Sequence, residues 1–215
     1  MVNYVMEHID RAFKLLLKNH YIDDLNTHAG VIYGVWANYR LAYLNPAWFR
    51  FALENGGEPH ITADWGLGRS ILDCMSGVVR EFYKAKFDKC LMSHEVCNHL
   101  YECSSKTVYR RYHQIVYPLG DREGLLFVNS LITNRPHDKE KRPDRDANEL
   151  FYVDENGFIC QCALCRRTKN LREAERWDWV PEWVRQCPEH TSHTFCPSCF
   201  GHYFPLTTTT SKGRT

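Results

Sequence analysis

Two hydrophobic periods divide the chain. Over residues 4–19, Val5, Ile9, Phe13, Leu16 and Leu17 recur at helical spacing, predicting an opening amphipathic helix. Its stripe either covers its own domain or pairs two copies of the chain. Residues 30–44, GVIYGVWANYRLAYL, predict a hairpin turning at Ala37-Asn38. Asn45-Pro46 ends its second strand and opens a short helix, AWFRFALENGG, closed by Gly56-Gly57. A longer helix is expected over 76–90, with Val79, Phe82, Tyr83 and Phe87 on one face. Three strands follow, at 99–104, 107–117 and 124–133, the last two joined by Asp121-Arg122-Glu123. This order predicts an α+β layout with an antiparallel sheet.

Beyond the sheet the pattern changes. Residues 135–146, RPHDKEKRPDRD, hold five basic and four acidic residues and no apolar one, as in a solvated linker. Residues 151–159 read as a strand pair around Asn156-Gly157. WDWVPEWVRQ offers a small helix with Pro181 at its start, and 207–215 reads as a disordered tail.

Cysteine placement adds the chemistry. Six of the ten cysteines fall in the last 56 residues, which fits a local metal site in a reducing cytoplasm better than a disulfide scaffold. Cys162-x-x-Cys165 and Cys196-x-x-Cys199 are two knuckles able to make a tetrahedral four-cysteine site for Zn2+. Cys160, Cys187 and His193 lie near enough to replace a ligand. Four thiolates close the shell, so the metal is expected to be structural and no enzyme is expected.

The strings AYLNPAWFRFALENGG, LGRSILD, HLYECSSKTVYRRYHQIVYPL and GLLFVNSLI together resemble a PAS domain over about residues 25–135. The resemblance implies a five-stranded antiparallel sheet with flanking helices, a sensory role, and a pocket for a small ligand or a contact for a protein partner. CALCRR, WDWVPEWV, SHTFCPSC and HYFP resemble a C-terminal extension of some bacterial signalling proteins over about 157–205. That second resemblance implies metal binding by Cys162, Cys165, Cys196 and Cys199. The expected organisation is a helix at 1–24, a PAS-like sensor domain at 25–135, a charged linker or loop at 136–150, a four-cysteine zinc module at 151–206 and the tail.

Several alternatives are narrower. Where photosensitive flavin-binding PAS domains carry a reactive cysteine string, this chain has Ser70-Ile71-Leu72-Asp73-Cys74, so Cys74 is expected in the core. Haem would take an axial ligand from His94, His99 or His113 and is not favoured. The formal charge of +1 makes nucleic acid an unlikely partner, although Arg166, Arg167, Lys169 and Arg172 cluster and Trp177, Trp179 and Trp183 offer a stacking platform. No apolar run approaches the roughly 20 residues of a spanning helix, and no signal peptide opens the chain. The expected protein is a stand-alone cytoplasmic sensor, a homodimer through its opening helix, with an unidentified signalling partner.

Overall fold

The computed structural model describes residues 8–18, 20–137 and 143–203. The chain divides into two compact units, Met1–Lys141 and Arg142–Thr215.

In the first unit, helix α1 (Arg11–Leu16) and helix α2 (Ile22–Thr27) precede strands β1 (Ile32–Trp36) and β2 (Leu41–Leu44). Helices α3 (Pro46–Glu54) and α4 (His60–Asp64) and a 3-10 turn (Ile71–Cys74) lead to α5 (Gly77–Ser93). Strands β3 (Cys97–Glu102), β4 (Val108–Leu119) and β5 (Gly124–Pro136) complete one sheet of order β2-β1-β5-β4-β3, antiparallel throughout. The fold class is therefore the expected one, α+β with a PAS-like five-stranded antiparallel sheet and flanking helices.

Asn45 explains why strand passes directly into helix. Its Oδ1 accepts from the Ile32 N–H at 3.0 Å and the Trp48 N–H at 3.2 Å, while Nδ2 donates to the Gly30 and Leu25 carbonyls. One buried amide thus caps α3, with Pro46 pre-set for its first turn, and holds β1 and α2 against it.

The opening helix is shorter than the periodicity predicts. Ile9 pairs with Tyr43 of β2, and Asp10 caps α1 by accepting from the Ala12 and Phe13 N–H groups. A short polar side chain that competes for backbone donors starts a helix there instead of continuing one. Residues 4–7 lie outside the described residues.

Phe13 and Leu17 are 0% and 1% exposed, in a core with Ile32, Ala42, Tyr43, Leu119 and Leu126. A Cβ on Gly34 would stand 2.3 Å from the Phe13 ring, and one on Gly124 2.9 Å from it. Two glycines therefore form the notch that admits this ring. Phe13 and Leu17 thus cover their own sheet.

Other elements differ locally from expectation. β5 runs on through Arg135 and Pro136, and Asp144 bridges Trp179 in the second unit. The charged stretch is thus structured at both ends. Phe151 and Tyr152 lie in a helical turn, α6 (Glu149–Tyr152), because Asn148 caps it by accepting from the Leu150 N–H. The expected turn follows: Asp154 Oδ1 accepts from Asn156 and Phe158, and Gly157 takes φ +82°. Residues 207–215 lie outside the described residues.

Phe13→Ala is expected to lower the unfolding free energy by about 3–5 kcal/mol, read from urea denaturation. The double change Phe13→Glu and Leu17→Glu is expected to unfold the first unit; a folded monomer would contradict this packing. Asn45→Ala, which strands buried backbone donors, is expected to cost about 2–4 kcal/mol by the same measurement.

Candidate metal centre and an aromatic-lined sheet face

The second unit brings the two knuckles together through one sheet. Strands β6 (Ile159–Cys162), β7 (Thr168–Lys169), β8 (Trp177–Asp178) and β9 (Thr191–Thr194) lie in the order β8-β7-β6-β9. After β6 the chain reverses: the Arg166 N–H donates to the Cys162 carbonyl at 3.0 Å, with Arg166 at φ +61°. This turn returns Cys165 beside Cys162. β9 runs parallel to β6 with Thr194 opposite Cys162, so Cys196 follows two residues later. Pro197 then opens helix α8 (Pro197–Tyr203), placing Cys199 in its first turn.

All four sulfur atoms lie within 4.8 Å of one another, with Cys165 Sγ and Cys196 Sγ 3.7 Å apart. A tetrahedron with metal–sulfur bonds of about 2.3 Å has edges of about 3.8 Å, so the donor set fits such an ion. The Cys196 and Cys199 N–H groups donate to Cys162 Sγ and Cys196 Sγ at 3.4 and 3.5 Å. Bonds from the other three thiols and the Cys196 N–H hold Cys162 far below the ordinary thiol range, while the shared protons push Cys165 and Cys199 up. The protons shared among crowded sulfurs are what a cation displaces on binding. Among the described residues the cluster contains neither Cys160, Cys187 nor His193. Cys187 is exposed, Cys160 half-buried, and His193 stands opposite Gln161 in β9.

A small core supports the centre. Tyr152, Ile159, Val180 and Trp183 pack together, with Trp183 on helix α7 (Pro181–Arg185) and edge-on to Tyr152. Trp179 and Trp183 are 2% and 7% exposed, so they form no platform for bases. Asp178 is buried and accepts from Tyr152 Oη, Asn170 Nδ2 and Arg176 Nε at 2.8–3.0 Å. Burial raises the Asp178 pKa, but these bonds outweigh it and hold the carboxyl below its ordinary value.

The first unit carries a second cluster, on the sheet face that packs beneath α3 and α5. Cross-strand register places His99 beside Gln114 and Gln114 beside Asn129. Asn129 Oδ1 accepts from Tyr101 Oη and Gln114 Nε2, both at 3.0 Å. Rings surround this polar row. On one side Trp48 meets Tyr33, Tyr33 stacks on Phe127, and Phe127 meets Phe87, with centroids 4.6–5.4 Å apart. On the other, Tyr83 meets His99, His99 meets Tyr101, and Tyr101 stacks on Tyr112, which touches Phe51.

Other residues singled out in the sequence lie elsewhere. Cys74 is exposed rather than in the core: it ends the 3-10 turn whose Ile71 and Leu72 point inward, and its Sγ donates to the Ile71 carbonyl at 3.0 Å. His94 is the left-handed cap of α5 and faces Asp121 at 3.4 Å, away from the polar row. Gln114 and Asn129 were missed as site residues. The signal was a polar residue at a core-facing position in HQIVY and in FVNSL.

No family model and no curated protein matches the chain. Among solved structures, the PAS domain of Bordetella pertussis BvgS is similar at a TM-score of 0.40 and 20% identity, covering 51% of this chain and 82% of that one. No helix among the described residues is long and apolar enough to cross a membrane.

Asp178 yields a pH prediction. A carboxyl depressed in the folded state contributes fully above its unfolded pKa, about 3.9, and its contribution is lost as pH falls through the folded value. Asp178→Asn is therefore expected to destabilise the second unit by about 1–3 kcal/mol at neutral pH. The gap from wild type should close in acid, as read by thermal melts across that range.

Proposed function

We propose that the chain is a PAS-like sensory protein whose first unit binds a small ligand and signals through protein contacts, while a structural Zn2+ closes the second. The observation that carries the sensory reading is the buried polar row within aromatic walls on the helix-covered face of the sheet. A core built for stability alone would fill those positions with apolar side chains. Burial pushes the Tyr33 phenol well above its ordinary range and holds the His99 imidazole down to about 3, so both are uncharged at neutral pH.

Zinc is favoured by the donor set. Four cysteines fill a tetrahedral shell, the preference of a d10 ion with no directional demand of its own. Four thiolates would leave a bound ion no open position, so these residues would hold it in a role that stabilises the fold. All ten cysteines are free of disulfides, which fits a reducing compartment such as the cytoplasm. Among the described residues the second unit's apolar cluster has four buried members, so metal binding would supply much of its folding energy.

The expected composition is one zinc per chain by elemental analysis, with no Soret absorption. Cys165→Ser or Cys196→Ser is expected to lose the metal and unfold the second unit while the five-stranded sheet stays folded, as followed by NMR. Full zinc retained in the double variant would sink the assignment. Native mass spectrometry of the purified chain tests the sensory reading: a co-purified small molecule supports it, and its absence together with no response to any added compound overturns it.

A further inference from the structure

The end of helix α5 and the start of strand β3 bring two thiols together. Cys90 Sγ donates to the Glu95 carbonyl at 3.2 Å, and Cys97 Sγ donates to the same oxygen at 3.9 Å. Cys90 Sγ also reaches the Val116 carbonyl at 3.6 Å, and Val116 is the residue opposite Cys97 in the β3–β4 register. Two backbone groups thus place both sulfurs beside each other in the same core cluster. The chain between them reverses at His94, which takes the left-handed conformation that ends α5. Lys86, one turn before Cys90, donates from Nζ to the Asn98 carbonyl at 3.4 Å. Burial draws its ammonium below the ordinary value, and the sulfurs of Cys97 and Cys90 act the other way.

The two thiols differ in access. Cys90 is 0% exposed, whereas Cys97 is half-buried. Burial, and then the Cys97 thiol beside it, push the Cys90 thiol up, so it keeps its proton at neutral pH. Such a pair has the parts of a redox sensor, an accessible sulfur next to one that resolves it. In a reducing compartment a disulfide of this kind is transient, and its formation reports an oxidant.

We propose that Cys97 and Cys90 form a peroxide-responsive pair that closes into a disulfide between α5 and β3. The inference stands apart from the ligand reading, since neither thiol belongs to the polar row. The Cys97 sulfur attacks one oxygen of hydrogen peroxide. The O–O bond breaks, an S–O bond forms, and the thiol proton leaves with the other oxygen as water. The sulfur is thereby oxidised by two electrons and the peroxide reduced. The Cys90 sulfur then attacks the sulfenic sulfur of Cys97. The S–O bond breaks, the S–S bond forms, and hydroxide departs with the Cys90 proton as a second water. Lys86 supplies positive charge beside the sulfurs, where the attacking thiolate and the departing hydroxide are negative. The bond ties the last turn of α5 to an edge strand of the sheet.

The test treats the full chain, as purified, with a slight excess of hydrogen peroxide, then blocks the remaining thiols. Cleavage after glutamate separates Cys90, Cys97 and Cys103 at Glu95 and Glu102. Mass spectrometry is expected to find Cys90 and Cys97 in one linked peptide pair, released by dithiothreitol. In Cys90→Ser, Cys97 is expected to stop at the sulfenic acid and be trapped by dimedone. NMR signals from the last turn of α5 and from β3 are expected to shift on oxidation of the native chain and to return on reduction. A link from Cys97 to Cys103 instead would overturn the pair. So would links confined to Cys162, Cys165, Cys196 and Cys199, or Cys97 oxidised to sulfinic acid in the native chain with no link to Cys90. A chain left unoxidised would overturn it as well.

Discussion

The first unit depends on the side-chain amide of Asn45. It is fully buried, and its four hydrogen bonds join the start of β1, the end of α2, the Gly30 backbone and the first turn of α3. No single backbone group could serve all four, because each offers one donor or one acceptor. The direction in which α3 leaves β2 is therefore set by one side chain. That direction carries Trp48 and Phe51 over the sheet face, where they border the polar row at two of its edges.

The two units hold themselves together by different means. The first buries aromatic and aliphatic side chains on both faces of its sheet, in two separate clusters. The second, among its described residues, has strands of two to four residues and a small apolar cluster of Tyr152, Ile159, Val180 and Trp183. Its polar groups converge on points: three donors on Asp178, and four sulfurs within 4.8 Å of one another. Such points specify geometry well and tolerate substitution poorly.

Much of this was legible in the chain. The β-branched, aromatic and apolar runs of the last strands, the Asn-Pro stop after β2 and the two Cys-x-x-Cys pairs each point to a single local geometry. The proximity of Cys162 to Cys196 was implied by ligand count alone, while the parallel pairing of β6 with β9 that achieves it leaves no periodic trace. The opening helix was overdrawn because helical spacing from Val5 to Ile9 says nothing about Asp10, whose carboxylate competes for the same N–H groups. Gln114 and Asn129 were hidden by their neighbours. An apolar strand can carry one inward polar residue without losing its pattern, and only cross-strand register shows that two such residues meet.

The pairing of β1 with β5, which sets Ile32 opposite Val128, also orders events during synthesis. The β1–β2 hairpin leaves the ribosome with one edge unpaired, and its partner follows only after the intervening helices and two further strands. At 5–20 residues per second that interval lasts on the order of 5–20 s. Throughout it a strand as apolar as Val31-Ile32-Tyr33 is open to a neighbouring nascent chain. α1 is made before either strand, and it is already at hand to lay Phe13 against Gly34 while β5 is awaited. Gly34, the side of the notch that β1 itself supplies, thus gives the first-made part of the sheet a cover before it has a partner.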